Sequence, residues 1–362
     1  MAQFTKRGNG WEARLRPYDR NGKRHNMSKG GFKTKAAAQI WATEVKEKYH
    51  KGIDLSQDIT LLHYYHSWVE EYKKPKLSHI TLNRYKIIEK FLDRYFCNAE
   101  LKDITRSQYQ HFINEFGSNH APETVKKTNS IIRACVQSAI LDGYIYRDFT
   151  QRVTLTANRN RILKVEYLNL KEIKQLLGAA TSRLDPRYTS RYMIIAAIYT
   201  GARLSELQAL TWKDINFLKH TITINKSWDA TEYTFKPAKT QSSNRTIIIN
   251  DQLLNYLRQL RAKNNSTMVF QNIFGTIPTS NGVNKTLRNL LADLNINKKN
   301  FHFHSLRHSH VALLVDRGID AYDISKRLGH SSISITLDVY GDMFDEYKEK
   351  RDKQIVAALN TL

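Results

Sequence analysis

Cysteine is nearly missing from this 362-residue chain. Cys97 and Cys135 are the only two, and with no Cys-x-x-Cys pair neither a disulfide framework nor a thiolate zinc site is expected. Both are expected to act as small apolar residues. Long apolar runs are missing too: none approaches the ~18 residues of a membrane-spanning helix, and the N-terminus lacks the apolar stretch of a secretory signal, so a cytoplasmic protein is expected. A phosphate loop of the GxxxxGK[ST] type is absent, which leaves ATP use without support. Acid is in short supply. Against 57 Lys and Arg stand 34 Asp and Glu, a formal charge of +23 and a pI near 9.8. Such a balance points to a polyanionic partner, with nucleic acid ahead of a membrane surface.

What is present suffices for real cores, since 41% of the residues are hydrophobic. The length implies two or three domains. Residues 1–53 are basic and turn-rich, with only Glu12, Asp19, Glu44 and Glu47 as acids. Trp11, Ala13, Leu15 and Pro17 alternate with Glu12, Arg14, Arg16 and Tyr18, the period of a strand with one apolar face. Asn21-Gly22 suits a hairpin turn, with a returning strand over residues 23–27. Thr34 can then cap a helix with Ala37, Ile40, Trp41 and Val45 on its inner side.

A polar connector over residues 52–58 leads into four segments of helical periodicity, near 61–72, 81–96, 106–116 and 123–141. Residues 143–164 break the period, carry Arg147, Arg152, Arg159 and Arg161, and are expected to be an interdomain linker. Beyond them Asn169 is a plausible cap, and residues 192–199 are almost wholly apolar, as in a buried helix. Residues 221–224 and 246–249 read as strands, with 233–236 a third between them and 239–244 the turn joining the last two. The remainder is expected to be helical.

Several short motifs carry chemistry: Thr200-Gly201-Ala202-Arg203, Pro237-Ala238-Lys239-Thr240, His304-Ser305-Leu306-Arg307-His308, Leu328-Gly329-His330 and Val339-Tyr340. Arginines can neutralise a phosphate, and a phenol can attack it. In this order and spacing the set resembles the catalytic residues of the tyrosine recombinases, the integrases of phages and conjugative transposons. With 19 tyrosines in the chain, Tyr340 is singled out by its matching position after His330.

The resemblance implies a multidomain, mainly α fold. Residues 1–53 would form an arm-type DNA-binding domain, a small three-stranded sheet plus a helix. Residues 58–143 would form a helical, SAM-like core-binding domain, 144–164 a linker, and 165–362 an α-rich catalytic domain with a small antiparallel sheet. Arg203 and Arg307 would hold the scissile phosphate and Tyr340 would attack it. His304 would accept or steer the tyrosine proton, His330 would hydrogen-bond the phosphate, and Lys239 would protonate the leaving 5′ oxygen. His308 is expected only to support its neighbours. Arg14, Arg16, Lys23 and Arg24 in the arm and Lys126, Lys127 and Arg133 in the bundle would contact DNA. No metal or cofactor is implied, and Asp338, Asp342 and Asp345 are expected to form a solvated helix face. The implied partners are double-stranded core and arm attachment sites, a homotetramer on DNA, a directionality factor and a host DNA-bending protein, and the tail at 344–362 would either dock on a neighbouring protomer or pack back on its own domain. The implied place is the nucleoid of a bacterial host cell. The competing expectations are DNA relaxation like a type IB topoisomerase, and an idle DNA-binding protein.

Overall fold

The computed structural model describes residues 2–16, 18, 24, 26–50, 59–238, 241–263 and 265–346, with 352, 356, 359 and 360 in the tail. The expected hairpin turn at 19–22, Lys23, the connector at 52–58, Lys239 and most of the tail lie outside these residues, as do the side chains of Asp342 and Asp345. The chain divides into two compact units, Met1–Ile162 and Leu163–Leu362. No described helix is long and apolar enough to cross a membrane.

The first unit opens with an antiparallel sheet, β1 (Gln3–Arg7), β2 (Gly10–Leu15) and β3 (Met27–Phe32), in that order. The alternation along β2 is real: Ala13 and Leu15 are buried while Arg14 and Arg16 face out. Its partner starts at Met27, where the expected strand was to end, although Tyr18 and Arg24 do bridge ahead of it. Helix α1 (Lys35–His50) begins with the Thr34 hydroxyl accepting from Ala37 N at 3.1 Å. It packs Ala42 and Val45 on Leu15. Ile40, expected inside, is exposed, because the inward stripe runs Ala38, Ala42, Val45 at helical spacing.

The four periodic segments form α2 (Leu61–Trp68), continued by a π-turn, α3 (His79–Phe96), α4 (Arg106–Ser118) and α5 (Pro122–Leu141). Their shared core includes Tyr65, Leu92, Phe112, Ile132 and Val136. Cys135 is buried as expected, but Cys97 is exposed, at the positive-φ residue that ends α3. The segment expected to be a linker is fastened to this bundle through residue 158. Ile145 and Phe149 enter its core, the Gln110 amide makes two 2.8 Å bonds to the Thr154 backbone, and Asn158 N donates to His120 O at 2.9 Å. Gly117 permits this approach, since a Cβ there would run into the Thr156 carbonyl oxygen.

In the second unit α6 (Leu170–Thr181) starts at a capping box in which Asn169 and Glu172 satisfy each other's backbone N–H. Helix α7 (Ser190–Thr200) is buried along 192–198, as its unbroken apolar run predicts, and stops at left-handed Gly201. Next come α8 (Leu204–Gln208), β4 (Ile215–Asn216), β5 (Thr221–Ile224), β6 (Lys226–Asp229), β7 (Thr234–Pro237) and β8 (Arg245–Ile248). Strands β4, β5 and β8 form one sheet, while among the described residues β6 and β7 pair only with each other. The third strand expected between the other two is therefore half of a separate hairpin, with Trp228 opposite Phe235. The unit closes with α9 (Asp251–Arg261), α10 (Ser280–Asp293), α11 (Phe303–Asp316), α12 (Ala321–Leu328) and α13 (Ile333–Glu346).

Candidate active site

Helix α11 presents His304, Arg307, His308 and Val311 at i, i+3, i+4 and i+7, which is one face. Arg307 is 2% exposed, a position where an isolated cation would be prohibitively desolvated. Its donors go to backbone oxygens at the ends of two helices: Nη1 to Gly201 O and Nη2 to Leu328 O, both at 2.8 Å. Helix C-termini carry partial negative charge, so α7 and α12 together compensate the guanidinium. Burial still pulls its pKa down to about 9, with Arg203 adding to the effect.

Gly201 and Gly329 end these helices at φ +65° and +71°, and neither leaves room for a side chain. A Cβ on Gly201 would meet His310 at 2.7 Å, and one on Gly329 would meet Arg245 at 3.0 Å. The turn at Gly201 sets Arg203 immediately before α8, where it pairs with Glu206 at 2.8 Å. Glu206 also holds Arg245 at 2.8 Å in an ion pair with both side chains buried. Burial alone would raise the Glu206 pKa, but Arg245 and Arg203 bring it to about 2. Arg245 Nε then donates to Arg327 O at 2.8 Å, tying this pair to the end of α12.

The turn at Gly329 projects His330 toward Arg307, whose Nη2 lies 2.9 Å from Nε2, while Nδ1 lies 2.8 Å from Thr336 Oγ1. An arginine can only donate, so Nε2 is the accepting nitrogen and Nδ1 carries the proton. Thr336 and Tyr340 stand one turn apart on the inner face of α13. Tyr340 is 2% exposed rather than solvent-facing, and its hydroxyl lies 2.8 Å from His308 Nδ1. Burial raises the phenol pKa to about 12 against the pull of Arg307 and Arg203. Burial also lowers His308 and His330 to about 4, helped by neighbouring histidine and arginine charge. His304 shifts the same way but is the ring most open to solvent.

Arg203, His304, Arg307, His330 and Tyr340 thus line one cavity of about 500 Å³. Lys239 lies outside the described residues, and its neighbour Ala238 lines the cavity. His304, expected to accept or steer the tyrosine proton, lines the cavity with Tyr340, whose hydroxyl hydrogen-bonds to His308, one turn further along α11. Arg245, Thr336 and Arg327 were not singled out from sequence. Arg245 and Arg327 depend on partners remote in the chain, and Thr336 on His330 six positions before it, across the turn between two helices.

Lys23 lies outside the described residues, and the other expected DNA contacts have local partners or face solvent. Arg14 pairs with Glu12 at 3.1 Å and Arg16 is exposed. Arg24 sits over the Tyr18 ring at 4.9 Å. In the bundle Lys126 is exposed, Lys127 pairs with Glu123 at 3.2 Å and Arg133 lies 3.7 Å from Asp148. Exposed pairs of this kind are worth about 0–1 kcal/mol, which leaves the cations able to exchange an acid for a phosphate.

Comparison with known proteins agrees with this geometry. Residues 2–49 match the arm DNA-binding domain, and residues 60–117 the N-terminal SAM-like domain of phage integrases. The integrase of Staphylococcus phage L54a is 27% identical over 298 residues, covering 73% of this chain and 82% of that protein. Among solved structures, the Tn1549 transposon integrase in complex with transposon right end DNA superposes with a TM-score of 0.68 at 18% identity, over 81% of this chain and 99% of that one. A lambda integrase tetramer bound to a Holliday junction gives 0.59 at 18% identity, over 91% and 95%. The phage integrase family itself matches residues 166–346, half of the chain and all of the cavity just described, and the chain belongs to that family, the tyrosine recombinases.

Proposed function

We infer that this recombinase cleaves each DNA strand by attack of Tyr340 on a phosphodiester held by Arg203 and Arg307, and so integrates and excises a mobile element. The observation that carries the reading is the buried Tyr340 hydroxyl sharing one cavity with both guanidinium groups. A phosphodiester repels nucleophiles, and its transition state gathers charge on the non-bridging oxygens. Fixed guanidinium donors answer that charge without reorganising. Arg307 is fixed by its backbone bonds, and Arg203 by Glu206.

The arriving phosphate also changes His330. Its negative charge favours the protonated imidazole, which gives Nε2 a proton to donate to a phosphate oxygen. His304 at the cavity mouth faces the same group, and Lys239 serves as the acid that protonates the leaving 5′ oxygen. The resulting 3′-phosphotyrosyl bond keeps the energy of the phosphodiester, so a 5′ hydroxyl from another strand reverses the attack without ATP.

Residues 1–53, 58–143 and 165–362 act on this reading as arm-binding, core-binding and catalytic domains on double-stranded DNA. Arg14, Arg16, Lys23, Arg24, Lys126, Lys127 and Arg133 serve as phosphate contacts. Four copies assemble on two sites, with the tail docking on a neighbour, and a directionality factor and a host bending protein set the outcome in the bacterial cytoplasm. The test uses core-site DNA read from the junctions of the element carrying the gene. Exchange of flanks between two such sites is expected. Relaxation of supercoiled DNA without exchange would make the chain a topoisomerase-like enzyme instead, and binding without either would make it an idle DNA-binding protein.

A further inference from the structure

The Tyr340 hydroxyl has two neighbours with different abilities. Arg307 lines the same cavity, and a guanidinium only donates, so it cannot take the phenolic proton. The phenolic proton is left for the other neighbour, His308 Nδ1, at 2.8 Å. We propose that His308 is the catalytic base of strand cleavage, taking the Tyr340 proton on Nδ1 while Oη attacks phosphorus. The proposal rests on Tyr340 being the nucleophile.

In this step the Oη–P bond forms and the P–O5′ bond breaks. The proton of Oη passes to Nδ1 and leaves His308 an imidazolium. The 5′ oxygen departs with a proton from the acid assigned to Lys239. In the return reaction the deprotonated Lys239 takes the proton of the 5′ hydroxyl as its oxygen attacks phosphorus, and the imidazolium gives its proton back to Oη as the Oη–P bond breaks. His304 is less well placed. Its ring stands edge-on to that of His308 with centroids 5.0 Å apart, and the hydrogen bond of the Tyr340 hydroxyl goes to His308.

The surroundings keep this base ready. His302, His304 and Arg307 of α11 lower its affinity for a proton, Tyr340 faces it from α13, and Arg203, Glu206, Lys226 and His330 line the same cavity. In the free protein the imidazole is therefore neutral. Entry of the scissile phosphate offsets the two arginines and raises its basicity, at the moment when bonding to phosphorus makes the phenolic proton acidic.

The experiment measures covalent adduct formation on core-site DNA, with oxygen and with sulfur as the leaving 5′ atom, for wild type, His308→Gln, Lys239→Ala and Tyr340→Phe. Gel shift and circular dichroism report DNA binding and folding. Loss of a general base predicts His308→Gln slower by about 10²–10⁴-fold at pH 7. The defect should shrink as rising pH ionises the phenol and should persist on the sulfur substrate, which needs no leaving-group proton. Lys239→Ala should be rescued by sulfur. Added imidazole should restore part of the rate to His308→Ala.

Wild-type rates in His308→Gln, a defect equal at every pH, or rescue by sulfur would each overturn the proposal. Unfolding of both His308 variants would make the contact structural and overturn it as well. An adduct formed by Tyr340→Phe would instead bring down the nucleophile assignment. An inert Tyr340→Phe beside a fully active His308→Gln would remove only the base.

Discussion

The cations expected to meet DNA in the first unit and those buried beside the cavity in the second are held in opposite ways. In the first, Arg14, Lys127 and Arg133 each lean on one nearby acid at or near the surface. In the second, Arg307 and Arg245 are buried, and each makes several bonds to elements remote in sequence. Surface cations keep their hydration and can trade partners, which suits reversible contact with a long polyanion. A buried guanidinium has given up its hydration and is held by helix ends and a carboxylate, so it meets charge that exists only in a transition state. Affinity and chemistry are therefore expected to separate along the chain.

The sharpest way to break this comparison is Arg307→Ala. It leaves the Gly201 and Leu328 carbonyls and His330 Nε2 without their donor, at about 1–3 kcal/mol per buried group, besides removing the phosphate clamp. Cleavage should fall by at least ~10³-fold, and thermal denaturation should show a stability lower by several kcal/mol. A variant that melts like wild type would show that the guanidinium is not what joins α7 to α12.

Acid should act on the same unit with an intermediate effect. His308 and His330 are held near 4 in the folded state and buried His310 near 3, against about 6.5 unfolded. Below that unfolded value the unfolded chain binds more protons, so their contribution to stability is full above pH 6.5 and declines as pH falls toward 4. Glu206, lowered to about 2, adds a second loss below its unfolded value of about 4.3. Thermal melts of the full chain should track this fall. A melting temperature unchanged from pH 7 to pH 4.5 would contradict the buried, neutral histidines.

The smallest effect belongs to the first unit. Lys126→Ala with Lys127→Ala should leave stability within about 0.5 kcal/mol. Removing each phosphate-binding cation should flatten the salt dependence of DNA binding by roughly one unit of slope. Cleavage at saturating DNA should hold. Undiminished binding together with abolished cleavage would erase the distinction between the two sets of cations.

Much of this was legible in the sequence, and the exceptions have physical causes. The apolar run of α7 and the spacing of His304, Arg307, His330 and Tyr340 survive into the fold because they depend on local periodicity and order. The partner of β7 was not legible, since an alternating strand does not say which edge it joins. Residues 144–158 looked like a linker because their anchors, buried Ile145 and Phe149 with half-buried Tyr144, Val153 and Ala157, lie in a stretch that forms neither helix nor strand. The Glu206–Arg245 pair spans 39 positions, and the His308–Tyr340 contact spans 32. Both depend on how helices cross, which no local pattern records.

The central claim is that the Tyr340 hydroxyl is the nucleophile that attacks phosphorus, and covalent trapping tests it most directly. Wild-type protein reacted with nicked core-site DNA and then denatured should carry DNA at its 3′ end, and peptide mapping should place that DNA on Tyr340. Tyr340→Phe should shift the same DNA in a gel and form no adduct. Its stability cost should stay near ~1–3 kcal/mol, set by His308 being left without a buried partner. An adduct that persists in Tyr340→Phe, or maps in wild type to Tyr322 or Tyr347, would contradict the account.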